Sequence, residues 1–434
     1  MTKRVHEIRD PIHIFIHLDS DERRVVDCRI YQRLRYIHQL ALTYLVYPGA
    51  THRRFEHALG VMELAGRVFD IVTADRNLTD AVRDIIPDRE VLHYWRRVLR
   101  MAALCHDIGH LPFSHAAEEL LPDGVHHENL TIDLLRSAEM QSLWTSMTPP
   151  LNVEHLVKIA VGPKVLKGVT FSAWERILTD IVTGDAFGVD RMDYLLRDSL
   201  HAGVAYGRFD HYRLIETVRI LPSPEPGVEF PMLGIEEGGM HSAEALLLAR
   251  YFMFTQLYFH QVRRIYDVHL KDFLLRWLNG GKFSVNLDDH IQMTDNEVLA
   301  AMQQVAGDSA HPAYDPARRI LKREHFRLIY KRNPNDMKIN IEAGSAVYGA
   351  LCERFGADNC RHDQNNKLNT APDYPVLADD KRVLSSLVCS DILTNLAPAA
   401  FDYVFIAPEL KVEAEKWLEK NRNDIIQTPG EAEP

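Results

Sequence analysis

The sequence predicts a mainly α-helical fold with a small β insertion and a smaller C-terminal α+β domain. Three observations carry this. Apolar side chains recur at helical intervals through most of the chain from Val25 to Leu278. Strand-like alternation before Leu278 is confined to the N-terminus and to an insertion at about 221–240. After Gly280-Gly281 short helical and strand patterns mix. The expected domains are therefore residues 1–285, a hairpin plus helical core, and residues 286–434.

Residues 5–17 alternate apolar and polar, as in Ile12-His13-Ile14-Phe15-Ile16, and predict a short hairpin. Val25–Gln39 carries a helical period. Over Arg54–Ala74, Ala58, Leu59, Val61, Met62, Leu64 and Ala65 line one broad face. Trp95–His106, His127–Ser137, Trp174–Thr183, Asp190–Leu200 and Ser242–Leu278 read as further helices. Asp210 fits the cap of a helix opening at His211. Leu221-Pro222-Ser223-Pro224-Glu225-Pro226-Gly227 stops the helical pattern, Val228–Ile235 reads as strand, and Gly238-Gly239 turns the chain back. Farther on, helices are expected over 293–306 and 316–331, and strands at Asp336–Ile341 and Tyr403–Ile406. Val412–Lys420 is a closing helix and Thr428–Pro434 a frayed tail.

The chain has 61 acidic and 50 basic residues, a net charge of -11. That argues against a protein that coats nucleic acid by bulk charge, and leaves room for a local basic pocket. The five cysteines, Cys28, Cys105, Cys352, Cys360 and Cys389, form no CxxC pair. An odd count without such spacing disfavours a disulfide framework and points to a reducing cytoplasm. Met1–Glu7 shows no apolar signal region, and no apolar run approaches the ~18 residues of a membrane span.

Chemistry concentrates in Leu104–His115, where His106, Asp107, His110 and His115 are followed by His126-His127-Glu128. Adjacent helical residues point about 100° apart, so His106 and Asp107 reach one cation best from a helix end. Gly109 and Pro112 suggest such an end. Clustered histidines can also cap helices or satisfy core hydrogen bonds. Upstream, Arg54-Phe55-Glu56-His57 opens a helix with another imidazole and a guanidinium able to fork onto phosphate. Downstream, Asp190, Tyr194 and Asp198 fall at i, i+4 and i+8 and share one helix face. Asp193 and Arg197 read as a solvated i,i+4 pair. Two imidazoles and two carboxylates from three segments can hold one divalent cation and leave positions for water and a phosphate oxygen. Mixed nitrogen and oxygen ligands suit Mn, Fe, Co or Ni, and admit Zn.

Asp10-Pro11-Ile12-His13, Gln32–Leu40, Tyr47–His57, Leu104–His115, His127-Glu128 and Val189–Asp198 together resemble the HD-domain superfamily. Within it they are similar to the deoxynucleoside triphosphate triphosphohydrolases (dNTPases), the group holding the vertebrate SAM-and-HD-domain dNTPase and bacterial dNTPases. The specific motifs span residues 10–270, the likeness continues to about 420, and the chain shows no SAM domain. The resemblance implies an HD-type metal-dependent phosphohydrolase core with metal ligands His57, His106, Asp107 and Asp190. It places His110, His115 and His127 around the reacting phosphate, with Glu118 orienting His115. Arg54 would hold the α-phosphate and Arg191 a neighbouring oxygen, where the vertebrate enzyme has lysine. Tyr194 and Asp198 would meet the deoxyribose, Gln39 and Leu40 the sugar and base, and Arg250 and Tyr258 the phosphate tail and base. Water would attack the α-phosphorus while His115 protonates the leaving 5′-oxygen, giving deoxynucleoside and triphosphate. Mg would accompany the triphosphate.

The resemblance further implies allosteric activation by GTP, dGTP or another dNTP at an intersubunit site of a homotetramer, a dimer of dimers. Asp27, Gln32 and Arg35 match its guanine-reading residues, and Arg213, Arg327 and Lys331 its phosphate contacts. The 286–434 domain would then serve regulation and assembly. His6 and Arg9 depart from the pattern, as do Glu236 and Glu237, which stand where a basic pair is expected. Arg327 and Lys331 also suit an exposed amphipathic helix. Two other functions fit the motifs: an HD-type phosphodiesterase, nuclease or other nucleotide phosphohydrolase, and a nucleotide-sensing module without turnover. Tyr194, Asp198 and Arg250 favour a mononucleotide triphosphate, and the complete ligand set favours turnover.

Overall fold

The period-two segment at the N-terminus forms a hairpin. Strand β1 (His6–Asp10) pairs antiparallel with β2 (Ile14–Leu18), Ile8 opposite Ile16. Ile16 and Leu18 enter the core and Ile14 stays exposed. The computed structural model describes residues 5–224, 227–228, 230–365 and 371–427, so the tail expected over Thr428–Pro434 lies outside them. Seven further strands are β3 (Val218–Leu221), β4 (Met232–Glu236), β5 (Arg327–Lys331), β6 (Cys360–Asn365), β7 (Pro375–Leu377), β8 (Val383–Ser385) and β9 (Phe401–Ile406). No helix among the described residues is long and apolar enough to cross a membrane.

Contacts divide the chain into two compact units. The first comprises Met1–Met253, Ser284–Asn296 and Thr370–Ala397; the second comprises Phe254–Phe283, Glu297–Asn369 and Pro398–Pro434. Segments 284–296 and 370–397 thus pack with the helical core, although both lie at or beyond the expected boundary near 285.

The helices that build the first unit are α1 (Arg54–Val72), α2 (Arg89–Cys105), α3 (His127–Leu135), α4 (Val153–Val165), α5 (Ala173–Thr183), α6 (Val189–Ala202) and α7 (Met240–Phe252). Helix α1 packs against α2, α5 and α6. Its Ala58, Leu59, Val61, Met62, Leu64 and Ala65 are all buried, as the apolar face requires. Each large apolar side chain so buried stabilises the fold by about 1.5–3 kcal/mol. Asp210 caps its short helix by accepting from the Arg213 amide at 3.0 Å. The insertion supplies β4 to the sheet β3-β4-β7-β8, where it pairs antiparallel with β3 and parallel with β7.

The chain departs from the helical period in two places here. Val25–Gln39 is not one helix: Ser20–Val26 ends at Asp27, and Arg29–Gln32 runs into a 3-10 turn over Arg33–Tyr36. Tertiary contacts break it, because the Arg33 guanidinium turns inward to donate to the carbonyls of His110 and Met293. Ser242–Leu278 is likewise interrupted by a π-helical turn over Met253–Tyr258 before a helix at Gln261–Trp277. Phe254 packs its ring edge-to-face with Tyr258 and Phe259 there.

In the second unit β9 lies between β5 and β6, antiparallel to both, and all six of its residues are buried. Val347, Leu351, Val404, Ile406, Ala414 and Leu418 form its core. The helix expected over 316–331 stops at Leu321; Arg323 takes a left-handed φ of 57° and the chain continues as β5. Arg327 and Lys331 are therefore on a strand and not on an amphipathic helix. The strand expected at Asp336–Ile341 is instead the helix Pro334–Ile339, opened by Pro334 and capped by Asn333. The closing helix is longer than expected, Lys411–Ile426.

Candidate metal centre

Helix α2 ends at Cys105, with His106 at its cap, and the turn Asp107–His110 leads away. Gly109 makes the turn's fit against α3 possible. A Cβ there would lie 2.3 Å from the His127 carbonyl oxygen and 2.4 Å from the Thr131 nitrogen. The Thr131 hydroxyl accepts from the Gly109 amide at 3.1 Å and donates to the His106 carbonyl at 3.3 Å. His57, in the first turn of α1, and Asp190, in the first turn of α6, complete the centre.

His57, His106 and Asp190 offer ligand atoms within 4.8 Å of one another. His57 Nε2 is 3.0 Å from Asp190 Oδ1 and 3.8 Å from Asp107 Oδ2. His106 Nε2 lies 3.2 Å from Asp107 Oδ1 and 3.4 Å from Asp190 Oδ1. Both imidazoles are oriented from behind. His106 Nδ1 donates to the Ala103 carbonyl at 2.7 Å, and His57 Nδ1 to Asp193 at 2.9 Å. Each ring then turns its Nε2 toward the carboxylates, where a bound cation would take the place of a proton, and His106 Nε2 is buried without a well-directed hydrogen bond. A buried imidazole nitrogen with no donor opposite it, beside two carboxylates, fits a divalent cation.

The local field points the same way. Burial alone would lower the His57 pKa, yet Asp190 and Asp193 lift it to about 10. Asp107 is also buried, but His106, Arg54 and His110 hold it well below the usual carboxylate range. The two carboxylates favour positive charge at the spot where the imidazoles converge.

Around this centre stand the other expected residues. His110 Nε2 is 3.3 Å from Asp107 Oδ1, and its ring stacks on His127 at 3.9 Å. Asp107, His110 and His127 form a second group of converging ligand atoms. Burial, then Arg54 and His127, keep His110 well below its ordinary pKa and so neutral. The Glu118 carboxylate, expected on His115, lies 2.6 Å from His127 Nδ1. His115 sits in the 3-10 turn Ser114–Ala116, and its side chain lies outside the described residues. Before it, Phe113 and Ser114 both take left-handed φ values, 55° and 57°. Such strain persists only where contacts fix it. Asp295 accepts from the Phe113 amide at 2.8 Å, and Arg54 Nε donates to Ser114 Oγ at 2.8 Å. Arg54 also pairs with Asp107.

On α6, one turn from Asp190, Tyr194 hydrogen-bonds Arg191. Arg191 reaches the main-chain carbonyls of Gly184 and Asp185, and Arg250 on α7 reaches the same Asp185 carbonyl at 3.5 Å. Burial and the neighbouring Arg191 push the Arg250 pKa down, the signature of two crowded guanidiniums. Asp198 is buried, with Oδ1 2.7 Å from His52 Nε2. Leu40 is buried, and Gln39 Oε1 is buried without a hydrogen-bond partner. Tyr258 belongs to the second unit.

Of the residues expected at a regulatory site, Asp27, Gln32, Arg35 and Arg213 belong to the first unit and Arg327 and Lys331 to the second. Asp27 pairs with Arg23, and Arg35 donates to Gln32 while its guanidinium covers the Phe55 ring at 3.5 Å. Arg213 donates to the Gly238 carbonyl. Arg327 and Lys331 are in the second unit, Arg327 2.7 Å from His325 Nε2.

The sequence reading missed the support of His57. Asp193 and Arg197 are not a solvated pair: both are fully buried. On a helical wheel they fall between the apolar stripe of Val189, Met192 and Leu196 and the Asp190–Tyr194 face. That position, with Gly60 one turn after His57, was the available signal.

Comparisons with known proteins agree with this geometry. Residues 54–197 match the HD domain, and residues 209–362 match the HD associated region. An uncharacterised protein of Methanocaldococcus jannaschii is 34% identical over 65% of this chain and 53% of its own length. The uncharacterised protein YwfO of Bacillus subtilis is 30% identical over 76% of this chain and 72% of its own. The deoxynucleoside triphosphate triphosphohydrolase SAMHD1 of Homo sapiens is 29% identical over 75% of this chain and 54% of its own. The chain thus spans little more than half the length of two of these three relatives. A crystal structure of a hypothetical protein from Aquifex aeolicus superposes with a TM-score of 0.78 at 29% identity, covering 96% of this chain and 100% of the other. The chain belongs to the HD-domain family, whose domains bind divalent metals, and it carries that family's associated region.

Proposed function

We propose that the chain hydrolyses deoxynucleoside triphosphates to deoxynucleosides and triphosphate. One observation carries the substrate class. Arg191 and Arg250 meet at the Asp185 carbonyl beside Tyr194, on and against the helix that supplies Asp190. Crowded guanidiniums next to a metal centre suit a polyphosphate tail. The relatives named as dNTP triphosphohydrolases support the same reading.

His57, His106, Asp107 and Asp190 would hold the cation, one of Mn, Fe, Co, Ni or Zn, with Mg on the triphosphate. A bound cation supplies polarisation of the α-phosphate oxygen and activation of water. Arg54 neutralises charge at the α-phosphate. His115 gives its proton to the 5′-oxygen, and His110, kept neutral, lines the reacting phosphate with His127, which Glu118 holds. Tyr194 crowds the 2′ position and Asp198, with Gln39 and Leu40, meets the sugar, so dNTPs are preferred over NTPs. Regulation would use Asp27, Gln32, Arg35 and Arg213 for a GTP, dGTP or dNTP activator, in a cytoplasmic homotetramer to which Arg327 and Lys331 contribute.

The test is a panel of dNTPs, NTPs and phosphodiesters, with and without GTP, resolved by chromatography. Release of triphosphate from dNTPs is expected. Equal rates on ATP and dATP, or turnover of diesters alone, would contradict the proposal.

A further inference from the structure

We propose that Asp193 is a positioning residue for His57, and that through Arg197, Asp10 and His13 it makes the turn of the N-terminal hairpin part of the metal centre's support. The inference rests on the reading of His57 as a metal ligand.

Both Asp193 oxygens are fully engaged. Oδ2 accepts from His57 Nδ1 at 2.9 Å and from Arg197 Nε at 2.8 Å. Oδ1 accepts from His13 Nε2 at 2.7 Å and from Arg197 Nη2 at 2.9 Å. The remaining Arg197 nitrogen, Nη1, donates to Asp10 Oδ2 at 2.9 Å. Asp10 Oδ1 accepts from the amides of Ile12 and His13, both at 2.8 Å, and so shapes the turn between β1 and β2. His13 Nδ1 is buried without a hydrogen-bond partner.

An ion pair with Arg197 alone would account for Asp193 as a structural residue. It does not account for the two imidazoles. His57 Nδ1 donates to Asp193, which fixes the ring plane and leaves Nε2, 3.0 Å from Asp190, as the nitrogen where a cation would take the place of a proton. A carboxylate behind a metal-binding histidine sets the tautomer and raises ligand basicity. Gly60 makes this approach possible: a Cβ there would lie 1.9 Å from Asp193 Oδ1. The hairpin, distant in sequence, supplies two of the groups that hold the carboxylate in place. Loosening the hairpin turn would therefore loosen His57.

The experiment uses the full chain, stripped of metal and titrated with Co²⁺. Binding is followed by visible absorption and by competition with a chromophoric chelator, and folding by circular dichroism. Asp193→Asn is expected to weaken Co²⁺ binding by about 10- to 100-fold and to change the Co²⁺ spectrum, with the fold retained. Asp10→Asn and His13→Gln keep the Asp193 carboxylate. They are expected to weaken binding several-fold in the same direction, and they decide the matter if Asp193→Asn does not fold. His57→Ala separates the two readings. If it binds Co²⁺ like the unmodified chain, His57 is no ligand and both readings fall. If it loses binding while folded Asp193→Asn, or both hairpin variants, keep normal affinity and spectrum, the positioning role alone is overturned.

Discussion

Gly60→Ala is a small change with a large predicted effect. Gly60 faces Asp193 where α1 meets α6. A methyl group there falls 1.9 Å from Asp193 Oδ1 and 2.6 Å from Arg197 Nη2. Favourable contact needs about 3.5 Å, so the helices or the ion pair must part by roughly an ångström or more. Neither side chain can swing into solvent, because both are fully buried and held from several sides. Overpacking of this kind costs about 1–3 kcal/mol. Leaving one partner of a buried ion pair uncompensated costs about 3–5 kcal/mol, so partial separation adds to the loss. The better helix propensity of Ala returns only about 1 kcal/mol. The net effect is a loss of about 2–4 kcal/mol. At about 2–4 °C per kcal/mol, the melting temperature should drop by roughly 4–16 °C. The assay is a calorimetric melt of both proteins without metal, followed by elemental analysis after reloading, where the variant should retain less metal. An unchanged or raised melting temperature would refute the close approach and the reasoning built on it.

Other consequences follow from the same contacts. Asp107→Ala removes a carboxylate 3.2 Å from His106 Nε2 and should abolish tight metal binding and turnover together; full metal occupancy by elemental analysis would contradict the ligand assignment. Burial, reinforced by Asp185, raises the Asp180 pKa to about 6. A carboxyl raised above its unfolded value stabilises fully below about pH 4 and loses that contribution as pH rises through 6, a difference of at most about 3 kcal/mol. Asp180→Asn should therefore raise the melting temperature more at pH 8 than at pH 4, and an equal change at both would count against it. Replacing Arg327 and Lys331 together with Ala should weaken nucleotide-dependent activation and assembly while sparing metal content, as read by light scattering with and without GTP or dGTP.

The hairpin was legible from its alternation, and the helices Arg54–Val72 and Ala173–Thr183 because their apolar periods run unbroken. His57, His106 and Asp190 were legible from residue type and motif, and they converge. Asp193 and Arg197 were not, since i,i+4 spacing is the same for a buried and a solvated pair. What buries them is Gly60 and the hairpin turn, both far away in sequence. Glu118 sits one helical turn after His115 in sequence, but the 3-10 turn Glu118–Leu120 brings its carboxylate to His127. Arg327 and Lys331 showed charges four apart, a spacing that fits a helix; pairing of β5 with β9, a partner about seventy residues on, made that segment a strand.

The central claim is that water attacks the α-phosphorus of a deoxynucleoside triphosphate, that the deoxynucleoside leaves through its 5′-oxygen, and that the triphosphate is released intact. Turnover of dGTP or dATP in ¹⁸O-labelled water, with products separated and weighed by mass spectrometry, tests it most directly. The account predicts one ¹⁸O atom in the triphosphate and none in the deoxynucleoside. Deoxynucleoside monophosphate with pyrophosphate, or diphosphate with phosphate, would contradict it, as would label in the deoxynucleoside.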